Sequence, residues 1–171
     1  MENTENLQDE FFWFEYDDSD KPFDLIGSDT ETALICLSDA SVRETITEEL
    51  KARDFFITEA KSAKDAVKKM RFHSYNLMVI DENFDTDNPD NNDLLRYLAS
   101  LNMPTRRQFF VTLVSRRYRT LDRMAALQRS VNMTINVQNL KEFSSLIINN
   151  MAENEGFYFT FMEVMKASGR I

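Results

Sequence analysis

The sequence predicts a three-layer α/β domain built on a parallel sheet. From residue 32 onwards, short apolar runs alternate with amphipathic stretches in strict β-α order, five of each. The runs are four to seven residues long and mostly apolar, the third continuously so, as expected for strands buried on both faces. Parallel neighbours need crossover helices, and the amphipathic stretches supply them.

Residues 33–37 form the first strand. Ser41, with Glu44 three residues later, has the form of a capping box, and Val42, Ile46 and Leu50 follow at helical spacing up to Arg53. Residues 55–58 read as a second strand. Ser62 with Asp65 opens the next helix, whose inner face carries Val67 and Met70. Residues 77–80 are a third strand ending at Asp81, followed by a loop over 83–92 that is dense in Asp and Asn and carries Pro89. Leu94, Leu95, Leu98 and Leu101 make a third helix that stops before Pro104. Residues 109–114 are the fourth strand, and Leu121, Met124, Ala125 and Leu127 fit a helix after it. Residues 131–137 form a fifth strand. Asn139 with Glu142 caps a helix through Phe143, Leu146, Ile147 and Met151, and 157–167 is an additional C-terminal helix.

Three segments follow: a leader over 1–31, a domain over 32–153 and the added helix over 154–171. The leader holds 11 acidic side chains against Lys21 alone, so the formal net charge of -9 belongs to it and the rest of the chain is near neutral. It also carries Phe11, Phe12, Trp13, Phe14 and Tyr16, unusual in a purely solvating tail, so part of it is expected to anchor on the domain or a neighbouring chain. Residues 96–129 show the opposite bias, eight arginines against Asp122 alone. Such a cluster steers an acidic protein partner. Nucleic acid is disfavoured, because the cluster lacks glycines and interleaved aromatics.

No run approaches the length of a membrane span and no secretory signal opens the chain, so a cytoplasmic location without a membrane partner is expected. Cys36, the single cysteine, sits in an apolar run and reads as a small core hydrophobe. One cysteine and one histidine leave a zinc site short of its usual ligands. His73 reads as a helix-end residue. Three glycines, Gly27, Gly156 and Gly169, supply no phosphate-binding loop, so no small-molecule substrate is expected.

In an open parallel sheet, function gathers at the carboxyl ends of the strands. Those ends are Ser38 and Asp39, Asp81 and Glu82, Val114 and Ser115, and Asn136. The five βα units and the acid closing the third strand resemble the receiver domain of bacterial response regulators. The resemblance covers about residues 32–153 and is best over 43–55 and 66–81. It implies a flavodoxin-like (βα)5 sheet of strand order 2-1-3-4-5.

It also implies a phosphoacceptor at Asp81, an acidic pair that holds Mg²⁺, a hydroxyl after strand four and a lysine after strand five. Only the first is matched. The acidic pair falls on Leu37 and Ser38, with Asp39 one residue away. The hydroxyl position falls on Val114, beside Ser115, and the lysine and its following proline fall on Asn136 and Val137. Asp39 and Asp81 are then the only metal candidates, a weak cradle for a cation that prefers several oxygen ligands. The loop after Glu82 is longer and more acidic than a receiver's. Its acids are spaced somewhat as in a calcium loop, but without the central glycine or closing glutamate, and it is expected to be open to a partner.

The expectation is therefore a non-enzymatic, phosphorylation-independent interaction module without cofactor. It would bind a protein, or itself, through the fourth and fifth units and Arg116, Arg117, Arg119, Arg123 and Arg129. The alternative is a divergent receiver phosphorylated on Asp81 with Mg²⁺. A third reading holds the chain in a larger assembly through Phe157, Tyr158, Phe159 and Phe161.

Overall fold

The computed structural model describes residues 30–170. The expectations for residues 1–29 lie outside the described residues.

The chain forms strands β1 (Thr32–Cys36), β2 (Phe56–Glu59), β3 (Leu77–Asp81), β4 (Phe110–Ser115) and β5 (Met133–Asn136). Helices α1 (Ala40–Lys51), α2 (Ala63–Phe72), α3 (Asp93–Ser100), α4 (Arg123–Gln128) and α5 (Phe143–Ala167) follow them in turn. The strands make one parallel sheet of order β2-β1-β3-β4-β5, as expected. Side chains alternate across it. Leu34, Cys36, Met78, Ile80, Val111 and Leu113 pack beneath α2, α3 and α4. Ala33, Ile35, Leu77, Val79, Val114 and Ile135 pack beneath α1 and α5. Burial pushes the Cys36 thiol up, well away from the reactive thiolate.

Val42, Ile46 and Leu50 recur every four residues on α1 and meet Phe143 and Ile147 of α5. Each such burial contributes about 2 kcal/mol. The expected capping box is not formed. Asp39 is the N-cap, its carboxylate accepting from the N–H groups of Ser41 and Val42, so α1 begins at Ala40. At the other end Asp54 adopts φ 61, and the N–H of Phe55 reaches the Leu50 carbonyl at 3.2 Å. That Schellman-type turn feeds the chain into β2. Ser130, φ 56, ends α4 the same way before β5. Ser62 caps α2 as expected by accepting from the Asp65 N–H. Pro104 opens a separate helical turn, Met103–Arg106.

Two further readings are corrected. Asn139 does not cap the last helix: Asn136 caps a 3-10 turn, Val137–Glu142, and Asn139 instead accepts from the Thr120 hydroxyl at 2.8 Å. The C-terminal helical segment is present but continuous with the fifth helix, so α5 runs unbroken for 25 residues, about 37 Å. Strands of five residues span about 17 Å. Among the described residues no helix is long and apolar enough to cross a membrane.

Candidate functional site at the carboxyl edge of the sheet

Asp81 ends β3 beside Val114 of β4. It is half-buried, and its carboxylate accepts from the N–H of Asn83 at 3.0 Å. Burial and the neighbouring carboxylates of Glu82 and Asp39 raise its pKa above the usual aspartate range.

Glu82, the next residue, is only 2% exposed and turns towards β4. Its Oε1 accepts from the Ser115 hydroxyl at 2.9 Å and the Arg116 N–H at 3.0 Å. Its Oε2 accepts from Arg117 Nε at 2.8 Å. Burial alone would push this carboxyl up, but those three donors outweigh it and hold the group below its ordinary value. The same Ser115 oxygen accepts from the N–H groups of Arg117 and Tyr118. The turn after β4 is thereby wound around one serine.

The clamp continues outward. Both terminal nitrogens of Arg117 donate to Asp90, in the loop before α3. Arg129, at the end of α4, also binds Asp90, and its Nε donates to the Tyr118 hydroxyl at 3.0 Å. Tyr118 lies under both guanidiniums, at 5.3 and 5.8 Å from its ring centre. Asn92 is buried, caps α3 and donates to the carbonyls of Asp81 and Glu82. The loop expected to be open to a partner is exposed at Asp85, Asp87, Asn88, Asp90 and Asn91, while Asp90 pairs with the two arginines and Asp85 accepts from the Ala63 N–H at the start of α2.

Asp39 does double duty. One oxygen caps α1 and the other accepts from Arg116 at 2.9 Å. Ser38 donates to the Asn83 carbonyl. Asn136 lies opposite Ser115 in the sheet, but its amide donates to the Tyr118 carbonyl at 2.8 Å and accepts from the Gln138 N–H.

The expected remnants Ser38, Asp39, Asp81, Glu82, Ser115 and Asn136 thus do gather at one edge. Their carboxylates do not fit a hard divalent cation in this arrangement. Glu82 faces three donors, Asp39 is shared between a cap and a guanidinium, and only Asp81 keeps a carboxylate without a cationic hydrogen-bond partner. Among the described residues no group of three or more His, Cys, Asp or Glu side chains is placed to hold a metal ion.

Arg116 and Arg117, expected on a binding surface, are exposed and Arg129 is partly so, and all three also make ion pairs at this edge, with Asp39, Glu82 and Asp90. Arg119 and Arg123 remain exposed, without an ion-pair partner among the described residues. Helix α4 gives the core little apolar surface. Ala125 and Ala126 face the core, while Leu121, Met124 and Leu127 are 45%, 65% and 72% exposed. On α5, Phe157 and Phe159 are exposed, whereas Tyr158 and Phe161 stack against Arg107. His73 closes α2.

Neither a family model nor a curated protein matches the sequence. Solved structures do match. The receiver domain of Francisella response regulator 1452 is 17% identical with a TM-score of 0.58, covering 72% of this chain and 98% of that one. A CheY-like receiver domain protein from Methanospirillum hungatei is 15% identical with a TM-score of 0.56, covering 74% and 98%. The non-phosphorylated HemR receiver domain from Leptospira biflexa is 19% identical with a TM-score of 0.55, covering 71% and 94%.

The chain has the receiver-domain fold. Ser115, whose hydroxyl donates to Glu82, stands one residue beyond Val114, where the resemblance put a hydroxyl. The partners of Glu82 left no sequence signal because they come from the end of β4 and the turn after it, 33 to 35 residues along the chain. Asn92 alone left a local signal, an amide three residues before Leu95 at a helix start.

Proposed function

We propose that this chain is a non-catalytic, phosphorylation-independent interaction module of cytoplasmic signalling, with the receiver fold as scaffold and the fourth and fifth βα units as the binding face. The observation that carries this reading is the hydrogen bonding of the buried Glu82 carboxylate to Ser115 and Arg117. A hydroxyl that follows a phosphoryl group must be free to move towards the acceptor. Ser115 could do so only by taking a donor from a buried carboxylate, at a cost of about 1–3 kcal/mol. Phosphoryl transfer to Asp81 would also need positive charge at the reacting oxygens. Asn136 brings none, and Arg116 is engaged by Asp39.

The test is titration with beryllofluoride in excess Mg²⁺, read from the amide resonances of residues 81–83 and 115–117. No saturable change is expected. A saturable change that disappears in Asp81→Asn would overturn this reading and establish Mg²⁺-dependent phosphorylation on Asp81.

A further inference from the structure

We propose that the outward face of α4 is the docking site for the chain's own acidic aromatic segment, residues 10–20. The inference rests on the fourth unit being the binding face, and it names the occupant.

Leu121, Met124 and Leu127 stand three residues apart and all point outward. A six-residue helix that keeps only two alanines for the core uses little of its apolar surface to hold the fold together. Leu121 sharpens the point. It adopts φ 58, a left-handed conformation that costs a non-glycine residue about 1–2 kcal/mol. Its exposed side chain recovers little of that through burial. The conformation is held by its N–H bond to the Thr134 carbonyl at 2.9 Å and by the Asp122 N–H bond to the Thr134 hydroxyl. A strained backbone that presents an apolar side chain to water marks a surface kept for a partner.

Arg119 and Arg123 flank this stripe, and neither has an ion-pair partner among the described residues. Apolar centre and cationic rim together call for aromatic or aliphatic anchors flanked by carboxylates. Symmetric pairing of two such faces would oppose arginine to arginine. Residues 10–20 carry the required chemistry: Phe11, Phe12, Trp13, Phe14 and Tyr16 among Glu10, Glu15, Asp17, Asp18 and Asp20.

The reach is sufficient. The stretch between Tyr16 and Thr30 can extend to about 45 Å, whereas five strands at about 4.8 Å spacing make a sheet only about 20 Å wide. The tether also gives the segment an effective concentration near the millimolar range, ahead of a free peptide of the same composition.

Trp13 is the only tryptophan, so its fluorescence reports the contact in the full chain. Blue-shifted, poorly quenched emission is expected, with sedimentation at the mass of one chain. Arg119→Glu with Arg123→Glu, and separately Met124→Glu with Leu127→Glu, should shift the emission to the red. Each pair should raise acrylamide quenching several-fold with unchanged far-ultraviolet circular dichroism, because all four side chains are exposed. Salt near 1 M, where screening acts over about 3 Å, should do the same in part. Emission already typical of water, or shielded emission indifferent to both pairs, would overturn the proposal. So would a two-chain mass that falls to one in the Met124 and Leu127 pair, which would seat the segment on a neighbouring copy. The beryllofluoride titration reads Asp81 and not Trp13, so the two readings fail separately.

Discussion

Glu82 and Arg117 meet at 2.8 Å, a carboxylate buried at the end of β3 and a half-exposed guanidinium from the turn after β4. Removing the cation leaves the carboxylate in place with fewer donors. Arg117→Ala should cost about 2 kcal/mol, and Ser115→Ala, which also frees two N–H groups, about 1–3 kcal/mol. Urea unfolding monitored by circular dichroism measures both, and a loss below a few tenths of a kcal/mol in both variants would refute the clamp.

The same contact gives stability a pH dependence of known sign. The Glu82 carboxyl is held low in the folded chain, so its contribution is complete above its unfolded value and fades as pH falls through the folded one. Asp65 and Asp90 are shifted in the same direction. The comparison must therefore be between the unchanged chain and Glu82→Gln: the stability gap should be widest near neutrality and narrow on acidification. A gap that stays constant down to pH 3 would contradict the assignment.

Asp81 has the opposite sign. Its folded value is raised, so it favours folding below its unfolded value and that benefit is lost as pH rises through the folded one. Asp81→Asn keeps an oxygen for the Asn83 N–H and removes the charge. A small gain at neutral pH, about 0.5 kcal/mol, is expected, shrinking towards acid pH. Differential unfolding at two pH values tests it.

Asp39 can be separated into its two roles. Asp39→Ala removes the cap of α1 and should cost about 1 kcal/mol. Arg116→Ala removes only an exposed ion pair and should cost about 0.5 kcal/mol or less. Equal losses in the two variants would mean that the pair, not the cap, holds this end of α1.

Leu121→Gly should separate folding from docking. Glycine adopts φ 58 without strain, so stability should hold or rise by up to about 1 kcal/mol. Trp13 should nonetheless become more exposed to quencher.

The sheet was legible because strands that are mostly buried leave predominantly apolar runs, and each run lies within two residues of its place in the structure. Asp81 and Glu82 were legible as a strand end for the same reason. The cap of α1 was misplaced because Ser41 and Glu44 satisfy a capping pattern that Asp39, two residues earlier, satisfies in space. The inner face of α4 was not legible because two alanines carry little weight in a periodicity beside leucine and methionine. The clamp was illegible in a deeper sense. Asp90 meets Arg117 and Arg129 across 27 and 39 residues of chain, and only the assembled sheet brings those loops together.

The guanidinium of Arg116 sets a fixed positive charge against Asp39. A metal ion reaches a carboxylate by mass action, and its occupancy follows the free concentration. A positive charge that is part of the polypeptide obeys no such law. It is present once per molecule from synthesis onwards, a chelator does not strip it, and a cell short of magnesium does not alter it.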